Sequence, residues 1–226
     1  MNKVSSYLNK KTNELELSYL QIRKAVGVLG IILPVVLATG AWLIDDCKYV
    51  KDSISDYYYT IMGSVLVGIL CGVALFLYSY KGYNNWDRIS SNLACVFALG
   101  IAFFPTNVCD DCAYCNILGR NDNSWRNGVH YTSAALFFIT LACMSLFLFT
   151  KTKNKGQMTK QKRKRNMIYK TCGYIMIIAI AFIASLQIHA VRNLLGPYKP
   201  TFWLESVALW AFGFSWLTKG EFLLKD

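Results

Sequence analysis

Six apolar stretches separated by polar segments organise this chain. The stretches cover about 25–44, 60–80, 89–106, 129–150, 167–190 and 201–218. A bilayer core needs roughly 20 mostly apolar residues per helix. The first two runs carry no charge. The third is short before Pro105 and Thr106, with Arg88 placed to snorkel at one end. His130 interrupts the fourth run near its start. Lys170 and His189 mark the fifth, and Glu205 is the one acid of the sixth. The runs are too long for barrel strands and do not alternate polar with apolar. The pattern predicts an all-α fold: one polytopic bundle of six transmembrane helices in a single membrane domain over 1–226.

Charge adds orientation. The segments 1–24, 81–88, 151–166 and 219–226, with Lys170 at a boundary, hold 18 of the 24 basic residues. Basic segments stay on the cytoplasmic side, so both termini are expected there. The net charge of +11 is therefore a topology signal first. Segment 1–24 is read as a cytoplasmic N-terminal piece in which Leu8–Lys24 forms a short amphipathic surface helix. No cleavable leader is visible, because the first apolar run is long enough to span. The densest basic run, Lys160–Arg165, lies in the 151–166 loop and is expected to meet anionic lipid headgroups. No aromatic or fold motif accompanies it, so nucleic acid is not an expected partner.

Small residues and cysteines come next. Gly68 and Gly72, with Ser64 one turn earlier, form a stripe for close helix packing within the monomer or for a homodimer seam. Pro34 is expected to kink the first helix. Cys71, Cys95, Cys143 and Cys172 fall inside spans and read as packing residues. Cys47, Cys109, Cys112 and Cys115 all fall on the outer side, the last three in the 105–128 loop. Two structural disulfides, a zinc site, a redox C-x-x-C pair or, without an oxidising compartment, four free thiols are the open readings of these four.

Candidate chemistry gathers at the outer helix ends. Asp45 and Asp46 close the first span. Ser53, Ser55 and Asp56 precede the second, followed by Tyr57, Tyr58 and Tyr59. Both histidines and Glu205 sit at the same level. Ionisable groups there face the bundle interior or water and find partners. Asp56, His130 and Glu205 are the catalytic candidates. Ser53, Ser55, Tyr59, His189 and Arg192 are the ligand-binding candidates. His130–Asp56 and His189–Glu205 contacts would satisfy all four ionisable members. The alternative is structural: Ser53 and Ser55 cap a helix, and Tyr57–Tyr59, Trp42, Phe202 and Trp203 form an aromatic belt. A zinc would take His130, His189 and Asp56, or Glu205 as the third ligand, and leave one position for water.

The string Ser53-Ile54-Ser55-Asp56 resembles the I-S-D element of the DRAM-like membrane family, which includes the FRAG and SFK proteins. His130-Tyr131-Thr132-Ser133-Ala134-Ala135-Leu136-Phe137-Phe138 resembles that family's fourth-helix pattern, and Glu205 in F-W-L-E-S-V-A-L-W its last-helix acid. The resemblance implies a six-helix plan and a role in membrane lipid homeostasis. It implies a location in a bacterial inner membrane or a eukaryotic plasma or endolysosomal membrane. In style the chain is also distantly similar to the CREST superfamily, which implies a metal-dependent intramembrane lipid hydrolase as the enzyme alternative. A channel or transporter subunit is the further one, although the spans offer little polar lining beyond Asn92, Ser185 and Gln187.

Overall fold

In the computed structural model the described residues are 3–44, 49–80, 82, 84–107, 124–152 and 158–224, with side chains in the first helix described from residue 17 onward. Helices make up every regular element among them, with no strand. Seven α-helices follow in order: α1 (Lys3–Ile44), α2 (Gly63–Ser79), α3 (Asn85–Phe103), α4 (Ser124–Cys143), α5 (Lys160–Ser185), α6 (His189–Leu195) and α7 (Pro200–Lys219). A short 3-10 turn, Ser55–Tyr59, precedes α2, and a π turn, Met144–Leu148, continues α4.

Local chemistry accounts for several boundaries. The expected surface helix and the first span form one 42-residue helix. No Gly or Pro falls between Lys3 and Ala25, and Lys, Leu, Glu and Gln sustain a helix. Pro34 lies inside α1, where its missing N–H leaves the Gly30 carbonyl without the usual partner. Asn84 and Asp87 exchange side-chain and backbone bonds in a capping box that starts α3. Helix α3 stops at Phe103, earlier than the expected 106. Pro105 pushes Phe104 out of the helical region, to φ −119° and ψ 87°. Thr159 caps α5 by accepting the Lys162 N–H at 3.1 Å. The basic run Lys160–Arg165 is therefore the first turn and a half of a helix rather than a loop. At the other end, α5 stops at Ser185, and 189–195 is the separate helix α6.

The six long helices close into a ring. α1 packs on α2, α2 on α3, α3 on α4 and α4 on α5. α7 closes the circle between α5 and α1. Its core runs through Leu37, Leu77, Ala98, Phe137, Met176, Phe212 and Trp216. α7 is the most enclosed member, with twelve buried residues. One close backbone crossing joins Gly27 to Gly213: a Cβ on either would come within 2.8 Å of the other's carbonyl oxygen. The stripe read from sequence behaves differently. A Cβ on Gly68 would meet nothing within 4 Å, and one on Gly72 only Leu29 at 3.8 Å.

The outward faces are apolar. Leu75, Phe147 and Ile178, on three different helices, are 66, 65 and 65 % exposed. Such a surface is unfavourable in water and marks contact with lipid or protein. Three helical stretches are long and apolar enough to cross a membrane: Leu17–Ile44, with mean hydropathy 2.2, and Ser124–Leu148 and Lys160–Ser185, each with 1.9. α2 is apolar but has 17 residues. These features associate the protein with a membrane.

Candidate functional site at one end of the ring

The segment 49–60 lies across the ring where α1 ends and α7 begins. The Asp52 carbonyl accepts the Phe202 N–H at 2.9 Å, and the Lys199 ammonium pairs with the Asp52 carboxylate. Lys51 N–H donates to the Tyr57 hydroxyl at 3.4 Å. Tyr57 and Tyr59 are buried at 1 and 3 % exposure, as is Phe202 at 3 %. They are core residues, not members of an aromatic belt. Trp42 and Trp203 are exposed and suit that role.

Within this segment the turn 53–56 closes on itself. Ser53 N–H donates to Asp56 Oδ2 at 2.9 Å, and Asp56 N–H donates back to Ser53 Oγ at 3.2 Å. Thr106 Oγ1 donates to Asp56 Oδ1 at 3.5 Å, and Tyr59 donates to the Thr106 carbonyl at 2.5 Å. The polypeptide after α3 is thus tied to the turn. Burial pushes the Asp56 carboxyl above its ordinary value of 3.8, against the lowering effect of the Ser53 hydrogen bonds.

Glu205, one turn into α7, accepts the Ile54 N–H at Oε2, 2.7 Å away. An α7 acid therefore holds the backbone between the two serines. Ser55 Oγ lies 2.8 Å from His130 Nε2, and His130 Nδ1 lies 2.7 Å from the Phe104 carbonyl oxygen. A carbonyl only accepts, so Nδ1 must carry a proton. In the neutral ring Nε2 is then the acceptor, and the Ser55 hydroxyl donates to it. His130 is buried, 3 % exposed.

The pairs expected from sequence are replaced by others. His130 meets Ser55 rather than Asp56, and Glu205 meets Ile54 rather than His189. His189 is exposed at the start of α6 and shares a 3.1 Å hydrogen bond with Asn193. Among the described residues no three His, Cys, Asp or Glu side chains are placed to hold a metal. The zinc set of His130, His189 and Asp56 is not assembled, because α6 breaks from α5 and turns His189 to its own helix. Cys47, Cys109, Cys112 and Cys115, with Asp45 and Asp46, lie outside the described residues. Cys71, Cys95, Cys143 and Cys172 are free thiols.

Arg192 is exposed and bonds the Leu186 carbonyl and Gln187 Oε1, each at 3.2 Å. Tyr131, exposed beside the His130 ring, lies within electrostatic reach of Arg192, Asp56 and Glu205. An open cavity of about 590 Å³ begins at Tyr58 and Thr60 and follows Ser64, Val67 and Gly68 along α2. This end of the ring thus has a polar cluster with Arg192 within electrostatic reach of Tyr131, and an open groove runs along α2 from Tyr58 of the same 3-10 turn. Sequence reading missed Phe104, Thr106 and Tyr131. Pro105 was the signal for the first, since a proline there ends α3 and frees its last carbonyls.

Comparison of the chain with family models, with curated proteins and with solved structures finds no match.

Proposed function

We propose that all six long helices cross the bilayer, with both termini on the cytoplasmic side, and that the Ser55–His130 end is an outward pocket for a lipid or other amphiphile. The basic balance of the segments supports the orientation. Gly220 lies against Arg23 and Lys24, which agrees with termini that share a side. The observation that carries the reading is the convergence of Ser55, Asp56, His130 and Glu205 from three separate elements at one end of an apolar bundle. Ionisable groups at that depth are costly unless they serve a bound polar group or hold one another. Arg192 and Tyr131 offer donors to a headgroup at the rim, and the groove along Val67 and Gly68 offers apolar wall for a chain. Lys160, Arg163 and Lys164, the exposed cations of the basic run at the opposite end, meet anionic headgroups of the inner leaflet. The role is binding or sensing of lipid in membrane homeostasis, as the DRAM-like text of the chain implies.

The test is native mass spectrometry of detergent-purified protein. Wild type should carry lipid-sized adducts, and Arg192→Ala should lose most of them while remaining folded. A folded wild type free of adducts in several mild detergents would end the reading. A C-terminal reporter fusion checks the topology: activity on the outer side would reverse it.

A further inference from the structure

We propose that Ser55 and His130 form a metal-free nucleophile–base pair that cleaves the acyl ester of a glycerolipid held at this end of the ring. The proposal rests on the lipid-binding reading and adds a reaction to it. Three features of the geometry support it. The first is the 2.8 Å separation of Ser55 Oγ from His130 Nε2, within the reach a general base needs. The second is the tautomer. The Phe104 carbonyl, 2.7 Å from Nδ1, places the ring proton away from Ser55 and leaves the Nε2 lone pair to take the hydroxyl proton. A third group that orients the base is what nucleophilic pairs share, whatever its identity. The third feature is the position of that carbonyl. Phe104 is the C-cap of α3, and its N–H closes on the Gly100 carbonyl. The imidazolium formed when His130 takes a proton would sit at the negative end of a 19-residue helix.

The surroundings fit a nucleophile more closely than a cap. The 3-10 turn begins at Ser55, yet the Ser55 hydroxyl is spent on a side chain 75 positions away. Ser53, not Ser55, accepts the turn's own N–H, from Asp56. Asp56 and Glu205 fix the two backbone amides that precede Ser55, those of Ser53 and Ile54. They are positioning residues. Ser55 is only partly buried, while His130 is enclosed. The nucleophile can therefore reach an ester from outside as the base stays shielded.

The reaction balances without metal or oxidant. Ser55 Oγ attacks the ester carbonyl carbon as its proton moves to His130 Nε2. The tetrahedral adduct collapses, the bond to the glycerol oxygen breaks, and Nε2 returns the proton to that oxygen. The acyl chain is now an ester of Ser55. Water attacks it, giving a proton to Nε2. The acyl–Oγ bond breaks, the proton returns to Ser55, and a fatty acid leaves. Ester and water have become acid and alcohol.

The experiment treats the full-length protein in phospholipid nanodiscs with a long-chain alkyl fluorophosphonate and maps the adduct by mass spectrometry. The expected result is a single adduct on Ser55, none in Ser55→Ala, and labelling slowed about 100-fold or more in His130→Ala. Vesicles of phosphatidylcholine and phosphatidylglycerol should yield lysolipid with wild type alone. A folded wild type unlabelled at Ser55, or labelled equally fast without His130, overturns the pair. The adduct is mapped on wild type, so a variant that fails to fold does not decide the outcome. Lipid adducts in native spectra separate the two readings. Adducts without Ser55 labelling leave a binding site with no reaction, whereas loss of adducts in wild type removes the binding reading itself.

Discussion

The two ends of the helix ring bury polar groups by opposite means. At the end where α1 is entered and α7 is left, cations lie over aromatic rings. Arg23 sits 5.5 Å from the Tyr80 centroid, Lys162 5.8 Å from Tyr169 and Lys219 5.4 Å from Phe149. Trp216 joins these rings, in edge contact with Tyr80, Phe149 and Phe212. Arg165 adds a bond to the Tyr169 hydroxyl at 3.4 Å and an ion pair with Glu221 at 3.8 Å. At the other end the rings are a backdrop, and short hydrogen bonds from one turn do the holding. Cation–ring contacts are broad in angle and tolerate displacement. Hydrogen bonds weaken steeply off axis. The first kind of end seals a bundle; the second positions atoms.

The contrast is broken most forcefully at Trp216. Trp216→Ala would remove the ring shared by three aromatic neighbours and leave a cavity at 1 % exposure. The expected loss is about 3–5 kcal/mol, read as unfolding in detergent by denaturant titration. A loss near zero would mean that the basic end is held by something other than this cluster.

At the hydrogen-bonded end the expected effects are smaller and depend on which atom remains. Glu205→Ala strands the Ile54 N–H and should cost about 1–3 kcal/mol. Glu205→Gln keeps an amide oxygen in reach and should cost less than half of that. Equal losses in both variants would show that the charge of Glu205, not its acceptor, matters to the fold.

How much of this was legible in the residues divides along the same line. Helical class and the apolar runs follow from composition, because twenty apolar residues leave few structural choices. Asp56, His130, Glu205 and Ser55 were readable as a group, since ionisable side chains beside apolar runs are rare and were all placed on one side. Their partners were not. Which carbonyl meets Nδ1 depends on where α3 ends, and which amide meets Glu205 depends on how 49–60 folds over α7. Neither leaves a trace in periodicity. The break of α5 before His189 was hidden because L-Q-I-H-A-V continues an apolar pattern. The G-x-x-x-G stripe does not make the close packing within the monomer: its spacing is right, but Gly27 and Gly213 make the close approach from two different helices.

A pH series separates the turn from the bundle. Burial lifts the Asp56 carboxyl above 3.8, so the folded protein holds that proton more tightly than the unfolded chain does. Its contribution is then fully present below 3.8 and is lost as pH rises through the elevated folded value. Asp56→Asn should remove this part of the slope, seen as a difference between wild-type and variant unfolding free energies across pH 3–8. Parallel curves would mean that the carboxyl titrates normally.

The smallest expected effect on stability is at Gly68, on the groove side of α2. A side chain there meets nothing within 4 Å of its Cβ, and leucine is a better helix former than glycine by up to about 1 kcal/mol. Gly68→Leu should therefore leave stability unchanged or slightly higher, unlike Gly27→Leu, whose Cβ would press on the Gly213 carbonyl. Its consequence should be functional. Filling the cavity that begins at Tyr58 and Thr60 should displace an acyl chain and reduce the lipid adducts in native spectra, while Ser55 and His130 keep their contact. A second copy packed on Gly68 and Gly72 is the competing occupant. In that case the same variant would leave the adducts in place and shift the oligomer toward monomer in light scattering. A change in neither would leave the groove without an occupant and confine binding to the rim at Arg192 and Tyr131.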